Sequence, residues 1–240
     1  KQAIPDAHIT CSQSFGRLGL MERENASVLN ATLLQFADSV VSAFLDAMRV
    51  RNLTCPVFIS QNDGTLMSAD FVRAFPALTF ASGPTNSLRG AMLLTGLEDA
   101  IVVDIGGTTS DIGVLQGGFP RESNSVIEVG GVRTNFRMPD IQAIGLGGGS
   151  LVSDDGETIG PQSVGHRLTE EGLIFGGSTL TATDIVVAGG YQTIGDPSAV
   201  ASLSPEMVAT ARQNMLTILD RGIEMMKPGA VQMPVILVGG

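Results

Sequence analysis

The chain has 240 residues, 30 glycines, no tryptophan and a formal net charge of −10, with a mean hydropathy of +0.26. That length holds one large domain or two small ones, and the glycine-rich, aromatic-poor but apolar composition fits a compact α/β protein and excludes a fibrous or disordered one. With 14 Lys and Arg against 24 Asp and Glu, nucleic acid is excluded as a main partner, because phosphate neutralisation needs clustered cations. A nucleotide, met by a local set of N–H groups and a metal, stays open.

Residues 1–23 have no clear period and read as a lead-in segment. From Asn25, Leu29, Leu33, Phe36, Val40, Val41, Phe44 and Met48 recur at helical spacing, which predicts a helix of about 25 residues, on the order of 37 Å long. Pro56–Ser60 reads as a buried strand closed by the turn-forming Asn62-Asp63-Gly64. Ser68 caps a short helix bounded by Pro76, and Leu78–Phe80 reads as a short strand. Ser82-Gly83-Pro84 opens a helix with Pro84 at its first position; it carries Leu88, Ala91 and Met92 and breaks at Gly96.

Two apolar strands then flank a turn, and Ser125–Arg133 is expected as a third strand in meander order. Residues 140–144 are strand-like and lead into Gly145-Leu-Gly-Gly-Gly-Ser150. A small hairpin is expected at Asp154–Gly156, and residues 157–180 are loop-rich. Thr181 or Thr183 caps a short helix to Ala188. Ser204-Pro205-Glu206 starts a longer one, whose apolar face is Met207, Ala211, Met215, Ile218, Leu219, Ile223 and Met226, a core stripe. Gly229 ends it, and Val235–Val238 is a closing strand. Both ends of the chain look cut from something longer. No uninterrupted apolar run approaches the roughly 20 residues of a membrane span, and no signal-peptide pattern is present, so no membrane association is expected.

The chemistry concentrates between Ile101 and Leu115. Asp104 precedes the turn Gly106-Gly107-Thr108-Thr109 and Asp111 follows it. Glycines let the backbone approach a ligand closely, successive N–H groups of such a turn suit a phosphate chain, and each hydrogen bond to a charged oxygen is worth roughly 1.5–3 kcal/mol. A flanking carboxylate such as Asp104 suits a hydrated Mg2+. The second cluster, Gly145–Ser150, does not open a helix as a dinucleotide loop must. It is either a turn that brings backbone close to a ligand or a neighbouring element, or a plain structural turn. Gly239-Gly240, after an apolar strand, is either the start of a loop that packs against a nucleoside or simply the point where the sequence stops. Cys11 and Cys55 have no metal-ligand spacing and no local His or Asp, so buried or spectator thiols in a reduced, cytoplasmic protein are expected. His166 is either a surface-loop residue, the reading preferred, or a substrate contact, and Asp154-Asp155 reads as a solvated turn.

The stretch Asp104–Asp111 resembles the second phosphate-binding element of the actin, sugar-kinase and Hsp70 superfamily. More closely, the chain is similar to the hydantoinase A/oxoprolinase family. The resemblance runs in order through Glu24–Asn30, Ser60–Gly64, Ser82–Pro84, the Asp104 hairpin, Ile144–Ser150 and Gly160–Ser163. It implies an α/β, ribonuclease-H-like lobe of an actin-like ATPase, with a mixed sheet flanked by helices and residues 1–240 as one nucleotide-binding domain. It also implies ATP and Mg2+ as cofactors and a small cyclic amide, such as a hydantoin or 5-oxoproline, as substrate. A second hydantoinase-type subunit and a homo- or hetero-oligomer are implied as partners. On this basis Asp104 orients water on the metal, Asp111 supports metal or tip, Gly106, Gly107, Thr108 and Thr109 hold the β- and γ-phosphates, and Gly239 and Gly240 face the adenosine. The chain departs from the family pattern in three places. It lacks an earlier Asp-Gly-Gly-Thr element, it has Gln142 where many members carry histidine, and it has Gly165–Leu168 where members have a proline- and cysteine-bearing loop. A different class of function, a nucleotide-dependent conformational or assembly module without small-molecule chemistry, shares the same residues.

Overall fold

The structure is a computed structural model that describes residues 7–14, 19–125 and 127–239. In chain order its main elements are α1 (Met21–Val50), β1 (Phe58–Ser60), β2 (Leu66–Ser68), α2 (Ala69–Ala74), α3 (Ser82–Thr95), β3 (Ala100–Ile105), β4 (Ser110–Gln116) and the two-residue β5 (Phe119–Pro120). These are followed by β6 (Ile127–Val129), β7 (Val132–Thr134), β8 (Ile141–Ile144), β9 (Ser150–Val152), β10 (Ile159–Ser163), α4 (Leu168–Glu171), α5 (Ala182–Ala188), α6 (Pro205–Met226) and β11 (Val235–Gly239). The chain divides into two compact units: residues 1–90 with 119–140, and residues 91–118 with 141–240.

In the first unit α1 begins at Met21, four residues before the expected start. Glu22 and Glu24 in its first turn favour that extension through the helix dipole. One face buries Ala26 with Ala77 and Phe136, and Val41 with Met67 and Val72. The other face leaves Phe36, Val40 and Phe44 exposed. By length and average composition α1 qualifies as a membrane-crossing helix; Asp38 and Asp46 interrupt its apolar run, which is why no continuous span is visible in the sequence. Asn30 is wholly buried and ties α1 to the end of α2, the turn after it and the segment before α1: its amide donates to Ala74 O at 2.9 Å and to Thr10 Oγ1 at 3.0 Å, and its Oδ1 accepts from Ala77 N at 3.1 Å.

Several expectations fail in this unit. The strand at 56–60 shrinks to Phe58–Ser60, pairs only with β2 and leaves Phe58 exposed. Leu78–Phe80 is not a strand: Pro76–Thr79 forms a 3₁₀ turn, with Pro76 at its start. Helix α3 starts at Ser82, so Pro84 is its third residue. The run from Ser125 to Arg133 is two short strands, β6 and β7, paired antiparallel about Gly130 and Gly131. Both glycines have positive φ (59° and 79°), the backbone of a tight hairpin turn. That turn removes the segment from the meander, and β8 takes the place beside β4.

The second unit is built on a mixed sheet. β11 runs parallel to β3, β3 antiparallel to β4, and β4 antiparallel to β8. Ile101, Val102, Val103, Ile112, Val114 and Leu115 are fully buried, as strands covered on both faces should be. Helix α6, capped by Ser204 through its acceptance of Met207 N, covers one face. Met226, Ile223 and Leu219 pack on Ile101, Val103, Ile112 and Val114. Its other contacts, Met207, Val208 and Ala211, pack on Leu146, Val152, Ile159 and Ile185, so the methionine stripe is core, as read. The small hairpin at Asp154–Gly156 joins β9 to β10. Cys11 and Cys55 are exposed, not buried.

Replacing Asn30 by Ala orphans the buried N–H of Ala77 and removes the donor to Ala74 O, which costs about 1–3 kcal/mol. Urea unfolding should show a lowered midpoint; an unchanged midpoint would mean that water replaces the amide freely.

Candidate functional site

The site is assembled by strand register. Antiparallel pairing sets Asp104 opposite Asp111 and Ile105 opposite Ser110, and directly opposed residues project to the same face. The turn between them closes with Gly106 N donating to Thr109 O at 2.9 Å, and Gly107, Thr108 and Thr109 are exposed. Parallel pairing of β11 sets Val238 beside Asp104 and Gly239 beside Ile105. Gly239 has φ of 109°, and a side chain there would run into the Ile105 carbonyl. Asp104, Asp111, Gly106, Gly107, Thr108, Thr109 and Gly239 are thus brought together; Gly240 lies outside the described residues.

The second glycine cluster meets the same turn. Gly148 N donates to Gly106 O at 3.0 Å and Gly149 N to Gly107 O at 2.7 Å. At Gly147 a Cβ would lie 2.6 Å from Gly106 O and from Thr108 N, so only glycine lets the two backbones touch. Buried Ser110 donates to Leu146 O at 2.7 Å, and buried Ser150 accepts from Gly147 N at 2.9 Å. Of the readings open for Gly145–Ser150, close approach to a neighbouring element is the one observed. The neighbour is the hairpin tip.

Thr183 escapes the sequence reading as a site residue. Thr181 is the helix cap, in a reciprocal capping box with Asp184, which leaves Thr183 to donate from both N (2.9 Å) and Oγ1 (2.8 Å) to Gly148 O. The only sequence signal was the doubled threonine at one helix start. Beside the loop a groove of about 370 Å³ is lined by Ile105, Leu146, Gly148, Thr183, Met215 and Leu219 among others. His166 is exposed, and the described residues contain no group of three or more His, Cys, Asp or Glu placed to hold a metal. A cation here has one or two carboxylates and must complete its shell with water and ligand oxygens, which is how magnesium commonly binds.

The match of residues 23–215 to the hydantoinase/oxoprolinase family model covers most of this geometry. The chain belongs to the hydantoinase/oxoprolinase family. It is 26% identical over 202 residues to the caprolactamase subunit alpha of Pseudomonas jessenii, covering 80% of this chain and 28% of that one. The fold is similar to that of the ATP-dependent caprolactamase from Pseudomonas jessenii (TM-score 0.75, 23% identity, 100% of this chain and 39% of that one). It is also similar to nucleotide-free acetone carboxylase, whose structure concerns ATP-dependent acetone carboxylation (TM-score 0.60, 20% identity, 88% and 33%). The chain therefore spans about a third of the length of these relatives.

In this family member the opposed carboxylates are electrostatically costly. Burial, and secondarily the charge of Asp104, raise the Asp111 carboxyl above the ordinary carboxylate range. A folded-state value above the unfolded one stabilises the fold at low pH, and that contribution is lost as pH rises through the raised value. At neutral pH the ionised pair opposes folding unless a cation binds. Asp111→Asn should raise the thermal midpoint at pH 7 by about 1–3 °C, allowing for solvent screening. The gain should vanish below the ordinary carboxylate range. A midpoint that falls at pH 7 would show that Asp111 is held by a favourable contact instead.

Proposed function

We propose that the chain is the ATP-binding lobe of an ATP-dependent enzyme that opens cyclic amides, of the hydantoinase or 5-oxoprolinase kind. The observation that carries this reading is the exposed Gly106–Thr109 turn between two facing carboxylates, with Gly239 in register beside it. The sheet order β8-β4-β3-β11, antiparallel except for its last pair, supports an actin-like, ribonuclease-H-like lobe, with the chain as one nucleotide-binding domain. The relatives named for ATP-dependent chemistry on a lactam and on acetone support the cofactor. The relative named as a subunit alpha supports a second subunit as partner. Two exposed thiols suit a reducing, cytoplasmic setting.

In this reading Gly106, Gly107, Thr108 and Thr109 hold the β- and γ-phosphates by backbone N–H groups and hydroxyls. Asp104 holds the water shell of Mg2+, Asp111 supports it across the hairpin, and Gly239 and Gly240 face the adenosine. The metal, when bound, supplies positive charge that offsets both the phosphates and the carboxylate pair. ATP supplies the phosphoryl group that turns an amide oxygen into a better leaving group. The chain's own contribution is positioning and electrostatic preorganisation, and turnover needs further residues from the rest of the enzyme.

Calorimetric titration of Mg·ATP into the chain, beside Asp104→Asn, tests the site. Binding weakened at least about ten-fold by the substitution, or roughly 1.4 kcal/mol, is expected; equal affinity in the two proteins would remove Asp104 from the site. In the full-length protein, ADP release should depend on an added lactam. Lactam-independent release would favour the switching module.

A further inference from the structure

The glycine loop and Thr183 do more than pack against the phosphate turn. Apart from one X–Pro bond outside this region, the described peptides are trans, so each carbonyl and the N–H that follows it point in opposite directions. Gly106 O and Gly107 O are both drawn toward the glycine loop by Gly148 N and Gly149 N. The following donors, Gly107 N–H and Thr108 N–H, must therefore point away from it, to the open side of the turn. The same rule applies one step back. Gly147 O accepts from Ser150 N at 3.0 Å, and Gly148 O accepts twice from Thr183, so Gly148 N–H and Gly149 N–H are aimed at the turn.

We infer that two parallel relays of peptide groups, one from Ser150 and one from Thr183, set and polarise the donors that face the phosphates, and that Thr183 is a positioning residue for them. One relay runs from Ser150 N–H through the 147–148 peptide and the 106–107 peptide to Gly107 N–H. The other runs from the Thr183 N–H and hydroxyl through the 148–149 and 107–108 peptides to Thr108 N–H. Hydrogen bonds in such chains strengthen one another. Each relay also removes the alternative in which a turn peptide flips and presents a carbonyl to the phosphate. Thr183 stands two peptides from the ligand and touches none of it. The Cβ contacts agree with the roles: Gly149 has no room for a side chain between Gly107 O at 3.0 Å and Ser163 Oγ at 2.9 Å, so the link cannot be loosened by a larger residue without displacing the turn.

The inference rests on the phosphate-binding reading of the turn, and the test separates the two. Thr183→Val deletes one of two donors to Gly148 O while keeping shape; Thr183→Ala does so with less bulk, and Thr183→Ser restores the hydroxyl. Affinities for Mg·ATP and for Mg·tripolyphosphate are measured by calorimetry, and the amide resonances of Gly107 and Thr108 by NMR without ligand. The relay predicts that the Val and Ala variants weaken both ligands by the same factor, about three- to ten-fold for one lost hydrogen bond. The Thr108 amide resonance, at the end of the Thr183 relay, should move upfield more than that of Gly107, and Ser should restore the wild-type value. An unchanged Thr108 resonance in folded Val and Ala variants would overturn the relay, as would unchanged tripolyphosphate affinity. Wild-type protein that binds neither ligand would sink the phosphate reading, and the resonances would still decide the relay.

Discussion

Everything at the candidate site depends on one contact between main chains, that of the 106–108 peptides with the 147–149 peptides. No side chain intervenes, and none fits: a single methyl at Gly147 would meet backbone at 2.6 Å. Main-chain contact of this kind fixes peptide orientation as well as position, because both partners are planar and their hydrogen bonds directional. The surrounding elements serve that contact. β10 leads into Val164, whose N–H donates to Gly149 O at 3.0 Å, the start of α5 holds Gly148 O, and the buried hydroxyls of Ser110 and Ser150 fix the two ends of the loop. The glycine cluster thereby acquires a physical reason: it is the part of the fold that must lie flat on the turn.

A site with two facing carboxylates and an exposed polar turn costs stability, and the strands behind it offset that cost. Six aliphatic side chains of β3 and β4 are completely buried, each worth roughly 1.5–3 kcal/mol relative to exposure. The repulsion between two half-exposed carboxylates is on the order of 1 kcal/mol after screening. The apolar stem decides the balance, so the hairpin keeps its register with the carboxylates opposed.

Much of this was legible in the sequence because the relevant signals are local. The Asp104–Asp111 hairpin, the capped start of α6 and its methionine stripe, and the turn at Asp154–Gly156 each lie within a few residues of their cause. What was not legible depends on distant partners or on a competition between neighbours. Ser125–Arg133 has strand propensity throughout, yet Gly130-Gly131 folds it on itself and β8 takes its place in the sheet. Leu78–Phe80 is apolar enough for a strand, but Pro76 and the Asn30 bond to Ala77 N favour a helical turn. Thr181 and Thr183 are indistinguishable as caps until Asp184 selects one. The partner of the glycine loop could not be read at all, since nothing within Gly145–Ser150 says that its neighbour lies forty residues earlier.

The parallel pairing of β11 with β3 has a kinetic side. The β3–β4 hairpin closes over four turn residues, whereas β11 is separated from β3 along the chain by β8, α5 and α6 among other elements. Loop closure over so long a segment is entropically slow. The Gly106–Thr109 turn is thus the local part of the site, and the strand that brings Gly239 alongside it is the long-range one. Gly239 reaches the turn only through the longest-range strand pairing of the second unit, so the site is complete only when that unit is whole.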